Sequence, residues 1–320
     1  MPQQPSRPLK VGLFLSVAEG AAGGRWSGLK AMARHAEAAG FDSLWIADHL
    51  MIPDDGTPQA ANGRWECWSV LAALAAVTTR IELGTLVVCT GFRNPALLAK
   101  MADTVEEISD GRLILGLGAG NYEAEFRAFG FPFDHRVSRF EEALRIIHGL
   151  LRNGAIDLEG EYYQARDCEL RPRGPRPGGP PILIGARPGR VRALRLAAQY
   201  ADYWNMYSLG AAVDLAAARQ AVDDACIRHG RDPTTLGRTI SAMIDLPTID
   251  LPTGERDAIS AAVRAYRSSR AWAAGTAEDM ADRLRALAGT GVSHVQLWLE
   301  PNSIAGIDAF MPVLELLDQG

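Results

Sequence analysis

The chain has 320 residues, 48% hydrophobic and 22% charged, with a net charge of -5. This is the balance of an ordinary water-soluble globular protein, long enough to bury a core without staples. The one sizeable basic block, Arg171 to Arg176, is broken by prolines, so nucleic acid is excluded as an expected partner. Four dispersed cysteines, Cys67, Cys89, Cys168 and Cys226, form no CxxC pair; they exclude the usual cysteine zinc sites and read as reduced thiols of a cytoplasmic protein. Met1 to Lys10 lacks the apolar stretch of a secretory signal, and no 18-residue apolar run is present to span a membrane.

Taken in order, the chain alternates strand and helix. Lys10 to Leu15 is an apolar strand, and Gly28 to Ala39 carries helical spacing up to Gly40. Ser43 to Ala47, Ile81 to Val88 and Arg112 to Leu117 are predicted strands two to four. Between them lie helices over Trp68 to Val77 and Pro95 to Ile108. Helices over Glu123 to Phe129 and Arg136 to Leu151 follow, and then the alternation breaks. Asn153 to Gly179 reads as a hairpin and loop insertion. It resumes with strands over Pro181 to Gly185, Asp202 to Met206, Thr239 to Leu246 and Ser293 to Leu299. The matching helices are Val191 to Tyr200, Ala211 to Arg228, one opened by a Thr276/Asp279 capping box and running to Leu287, and Ala305 to Leu317. Leu251 to Ala274 reads as a second, part-helical insertion.

The strands are continuous apolar runs, as in parallel sheets covered on both faces. Eight strands, each followed by a helix, predict an α/β fold: a (β/α)8 TIM barrel. It forms one domain over residues 1–320, with insertions after strand 4 (about 153–180) and strand 7 (about 247–275). An open doubly wound sheet with a second domain is the alternative.

A barrel of this kind keeps its chemistry at the C-terminal strand ends. Asp48-His49 ends strand two, a carboxylate beside an imidazole suited to proton transfer; the plainer reading is a turn cap beside a surface histidine. His49 is the one histidine placed at that end. Gly116-Leu117-Gly118-Ala119-Gly120 after strand four is GxGxG, not the dinucleotide fingerprint GxGxxG. Its small residues let backbone approach a flat ring or a phosphate, or simply form a tight turn. Gly185-Ala186-Arg187-Pro188-Gly189-Arg190 opens a helix and suits a phosphate, against the alternative of a solvated arginine turn. Trp204 could offer aromatic surface to a cofactor, whereas Trp45 and Trp298 read as core. No metal-binding set converges, and no GxSxG, P-loop or HExxH motif occurs.

Five runs, in order along the chain, resemble the bacterial luciferase-like superfamily, and more narrowly its coenzyme F420-dependent oxidoreductases. They are Ala38 to His49, Gly84 to Val87, Gly111 to Gly120, Pro181 to Ala186 and Ala201 to Asn205. The resemblance implies a barrel that binds F420, with FMN as the alternative, and chemistry by hydride transfer on a small-molecule substrate. It assigns catalysis to His49 and Asp48, with Asp48 orienting the imidazole. It assigns cofactor contacts to Leu86, Val87 and Cys89, to Gly118, Ala119, Gly120, Asn121 and Tyr122, and to Gly185, Ala186 and Arg187. Leu86-Val87 falls where relatives carry a non-proline cis peptide in a bulge, which would back one ring face and leave the other for substrate. Relatives that oxidise sugar phosphates carry Glu where this chain has Asn121-Tyr122, which argues against that activity. Substrate contacts are expected from Ser16 to Glu19, Met51 to Trp65 and Leu246 to Ala274. A homodimer and a separate reductase that recycles the cofactor are further expectations. The alternative activity is an FMN-dependent monooxygenase, and the alternative class a non-catalytic cofactor-binding protein.

Overall fold

The computed structural model describes residues 7–19, 21, 24–53, 61–209, 214–246 and 275–319. The second predicted insertion, apart from its last residue, lies outside the described residues. So does the start of the helix predicted from Ala211.

Eight parallel strands close into a barrel: β1 (Lys10–Phe14), β2 (Ser43–Ile46), β5 (Glu82–Thr85), β7 (Leu113–Gly118), β10 (Ile182–Gly185), β11 (Tyr203–Leu209), β12 (Gly237–Asp245) and β13 (His294–Glu300). Closure comes from β10 pairing with β7 on one side and β11 on the other, and from β13 pairing with β1. Two antiparallel hairpins stand outside it: β3 (Met51–Pro53) with β4 (Ala61–Gly63), and β8 (Ala155–Glu159) with β9 (Gln164–Glu169). The second is the hairpin expected after strand four.

The surrounding helices are α1 (Trp26–Ala38), α2 (Cys67–Val77), α3 (Pro95–Ile108), α4 (Glu123–Phe129), α5 (Arg136–Asn153), α6 (Val191–Tyr200), α7 (Leu215–Arg228), α8 (Ala277–Gly289) and α9 (Ile304–Asp318). Their starts are set by side chains that accept first-turn N–H groups: Glu66 for α2, Asn94 for α3, and the reciprocal Thr276/Asp279 box for α8. The outward strand faces (Leu13, Leu44, Leu83, Leu115, Ile184, Leu297) are buried under these helices, which is why the strands carry no polar alternation.

The barrel interior is filled from below. Trp45 lies across it, and a Cβ on either Gly12 or Gly84 would stand 2.3–2.4 Å from Ser43 or the indole. The two glycines are therefore the space the indole occupies. Trp45 Nε1 donates to Ser43 Oγ at 2.7 Å, and the same hydroxyl is hydrogen-bonded to His294 Nε2, also 2.7 Å away. Burial pushes the His294 imidazole down to about 3, so it is neutral. Trp45, Leu86, Ile114 and Leu183 form an apolar plug that seals the lower barrel.

Strand three departs from expectation. The predicted run Ile81 to Val88 is broken into β5 and the two-residue β6 (Val88–Cys89) by a cis Leu86-Val87 peptide. The apolar composition is uniform across the break, so periodicity could not locate it.

Candidate active site

The tip of β2 carries Asp48 and His49, and the two side chains go separate ways. Asp48 is 2% exposed. Arg93 clamps both of its oxygens, Nη1 to Oδ2 at 2.5 Å and Nη2 to Oδ1 at 3.1 Å, and Oδ2 also accepts from the Cys89 N–H at 3.0 Å. Arg93 reaches on to Glu66 Oε1 at 2.6 Å, the carboxylate that caps α2. Burial raises the Asp48 carboxyl above its ordinary range, against the pull of Arg93 and the Cys89 N–H; the two carboxylates hold Arg93 deeper in its charged form.

Asp48 therefore does not orient His49, contrary to the sequence expectation. Its lone pairs are committed to Arg93 and to the strand-three break. Glu125, from α4, takes that role: His49 Nδ1 is 2.9 Å from Glu125 Oε1, and Leu50 N–H donates to Oε2 at 3.0 Å. The Glu125 side chain is 1% exposed and the imidazole 24%. An ionised carboxylate only accepts, so the network assigns the proton to Nδ1. Among the described residues Nε2 makes no hydrogen bond, and it is the nitrogen left to an incoming molecule.

The glycine loop is shaped by strand three. A Cβ on Gly116 would stand 1.9 Å from Thr85 O, and one on Gly118 2.7 Å from Val87 Cγ2. Thr85 Oγ1 bridges to Gly116 N and O at 2.8 and 2.9 Å. Gly120 has φ +73°, and its Cβ would meet Cys89 Sγ and Phe126 at 2.6 Å. The GxGxG run thus lets β7 close on the break, and it ends a strand of the closed barrel. Val87, Gly118, Ala119, Gly120 and Tyr122 are half-buried at the mouth and Asn121 is exposed.

Three of the residues expected at the cofactor are buried in the structure. The Cys89 side chain packs with Phe92 and Phe126, and burial pushes its thiol up to about 12, while its N–H donates to Asp48. Leu86 points into the apolar plug. Ala186 is buried, with its N–H given to Asn205 O at 3.1 Å and its carbonyl to Trp204 Nε1 at 2.8 Å. That bond also corrects the reading of Trp204, which is 1% exposed and offers no face to a ligand. Gly185 is the opposite case: exposed at the mouth, with nothing nearer to an added Cβ than Asn205 O at 4.0 Å. Arg187 lies in an exposed turn closed by Arg190 N–H to Arg187 O at 3.1 Å.

Sequence reasoning missed Glu125, Arg93 and Glu66. Glu125 sits beside Phe126 on a buried helix face, and an acid there gives no sequence signal of its partner. It also missed a polar layer inside the barrel. Asn205 Nδ2 donates to Thr239 Oγ1 and Gln296 Oε1, both at 2.8 Å, from strands whose inward faces meet there. Trp298, expected in the core, is half-buried and stacks on Phe14 with centroids 4.5 Å apart. Of the expected substrate loops, Ser16 is buried with its N–H on Asn302 Oδ1 at 2.9 Å, and Glu19 and Trp65 are exposed. Residues 54–60 and 247–274 of those loops lie outside the described residues. Among the described residues no group of three or more His, Cys, Asp or Glu could hold a metal, and no helix is long and apolar enough to cross a membrane.

Residues 9–246 match the family model described as luciferase-like monooxygenase. A 5,10-methylenetetrahydromethanopterin reductase of Archaeoglobus fulgidus is 36% identical over 167 residues, covering 52% of this chain and 45% of that protein. The stretches aligned with this reductase and with the uncharacterised mycobacterial proteins cover 45–62% of those relatives' own length. Two solved structures share the fold along nearly the whole chain. One is an F420-dependent secondary alcohol dehydrogenase in complex with an F420-acetone adduct (TM-score 0.78, 18% identity, 97% of this chain and 99% of that one). The other is the monooxygenase RslO1 from Streptomyces bottropensis (TM-score 0.74, 20% identity, 96% and 99%).

Proposed function

The chain belongs to the luciferase-like monooxygenase family, and from that premise we propose that it is an F420-dependent oxidoreductase acting on a small organic substrate. One observation carries the reading. The strand-three break and the imidazole are tied into a single rigid unit, from Cys89 N–H through Asp48 to the adjoining His49 and on to Glu125. A flat ring laid against the break would have its edge fixed relative to Nε2.

The residues present fit such a ring. Gly118 makes room for the Val87 side chain, Val87 offers a small apolar face, and Gly185 leaves open space where any larger residue would intrude. Bound there, a deazaflavin would supply or receive a hydride. Val87, Gly118, Ala119 and Gly120 would hold its ring, with Asn121 and Tyr122 at the loop's end, and Gly185 with the Arg187 turn would meet its phosphate. His49 would accept or donate the accompanying proton at Nε2, with Glu125 stabilising the imidazolium as it forms. The plug of Trp45, Leu86, Ile114 and Leu183 excludes water from below.

Fluorescence titration of the purified protein with F420 and with FMN tests this. Saturable quenching of F420 well below any FMN response is expected. Preferred FMN binding would instead favour the monooxygenase reaction, and an empty mouth with both would overturn the proposal. His49→Ala should lower turnover about 100-fold while cofactor binding persists; unchanged turnover would remove His49 from the mechanism, and binding with no turnover in the native protein would leave a non-catalytic binding protein.

A further inference from the structure

Beside the barrel mouth opens a notch of about 270 Å3, lined by Phe133, His135, Arg136, Val137, Ser138 and Arg192. Among the described residues no carboxylate stands in that lining. The notch adjoins the proposed cofactor site on two sides. Arg136 Nε donates to Gly120 O at 3.2 Å, at the end of the glycine loop. Arg192 lies in the first turn of α6, directly after the Arg187 to Arg190 turn.

Its charge is in surplus. Arg192 and Arg195 share the one Glu141 carboxylate, at 2.8 and 2.7 Å, which balances only one of them. Arg192 Nη1 also donates to Ser138 Oγ at 3.1 Å, which fixes its fork against the wall. The partners of Arg136 among the described residues are the Gly120 carbonyl and the face of Phe133, 5.0 Å from its guanidinium carbon; neither is an anion. Two guanidinium groups on one concavity, with about two positive charges unmatched, are complementary to an oxyanion-bearing chain. Guanidinium forks pair with carboxylate and phosphate in two-pronged fashion.

We propose that this notch seats the acidic tail of the cofactor, the glutamate carboxylates that F420 carries beyond its phosphodiester and that FMN lacks. The notch would thereby select deazaflavin over flavin mononucleotide. The inference rests on the reading of the mouth as a deazaflavin site. Phosphate and carboxylate share the chemistry that the arginines recognise, so the test must separate them.

Three ligands do so by fluorescence titration at low and at high salt: the deazaflavin riboside with neither phosphate nor glutamate, its phosphate ester, and F420 with an oligoglutamate tail. F420 should bind about tenfold tighter than the phosphate ester, as two partly exposed ion pairs would provide. High salt should collapse that advantage. The variant Arg192→Gln should lose much of it and leave riboside affinity unchanged, since Arg195 remains to balance Glu141 and the Arg136 bond to the glycine loop is kept. A gain already complete in the phosphate ester would assign the arginines to the phosphodiester and overturn the tail seat. Equal binding of all three ligands, or equal weakening of all three in the variant, would also overturn it while the deazaflavin reading stands. Failure of all three to bind would overturn that reading and this inference together.

Discussion

Replacing Glu125 by glutamine changes one charge and almost no volume, so it isolates what the carboxylate does for His49. The native carboxylate accepts twice, from His49 Nδ1 at 2.9 Å and from Leu50 N–H at 3.0 Å. The backbone N–H of Leu50 can only donate, so in the variant it claims the amide oxygen. The amide NH2 then faces Nδ1 and makes it an acceptor, which moves the ring proton to Nε2. A hydrogen bond to a charged group contributes roughly 1.5–3 kcal/mol. At about 1.4 kcal/mol per tenfold, that corresponds to a preference of about 10- to 150-fold for the Nδ1–H tautomer in the native protein. Long-range nitrogen–proton NMR spectra of protein labelled with 15N-histidine read the tautomer directly, before any substrate is found. The native ring should show Nδ1–H, and Glu125→Gln should show Nε2–H. Turnover should fall by a similar factor, because the lone pair that would accept the proton is gone. The same tautomer in both proteins, or turnover unaffected by its reversal, would refute the assignment of Glu125.

Arg93→Met leaves Asp48 buried without its cation and should cost about 3–5 kcal/mol in urea unfolding; a loss below about 1 kcal/mol would mean that the clamp is not holding a charge. His294 is driven to about 3 in the fold from an ordinary value of 6.5, so the unfolded chain binds the extra proton between those values. Its contribution to stability is complete above pH 6.5 and declines below it by up to about 1.4 kcal/mol per pH unit. His148, also lowered by burial and by Arg152, adds to the same window, so the decisive comparison is a shallower acid slope in His294→Gln than in the native protein. Gly116→Ala puts a Cβ 1.9 Å from the Thr85 carbonyl and should destabilise by about 1–3 kcal/mol or more. Gly185→Ala meets nothing nearer than 4.0 Å and should leave the melting temperature unchanged while weakening cofactor binding; a large melting shift there would show that the space is not open.

The boundary between what is legible in sequence and what is not follows the physics of each signal. Helix limits were readable because capping is local: Pro95 after Asn94 and the Thr276/Asp279 box begin α3 and α8 where their side chains can reach the first-turn N–H groups. The barrel was readable because strands covered on both faces cannot carry polar alternation. Periodicity is blind within such a run, which is why the break at Leu86-Val87 came from resemblance and not from pattern.

Thus the order of elements, the closed barrel and the placing of Asp48-His49 at its mouth were determined by the sequence itself, through local propensity and continuous burial. Only the tertiary structure decided which charges meet. Glu125 lies 76 residues from His49 and Arg93 lies 45 from Asp48. Asp48 and His49 lie just past the end of β2, and their side chains turn to different partners. Neighbours in sequence were therefore the wrong partners, and the right ones came from helices and loops that only the closing of the barrel brings to its rim.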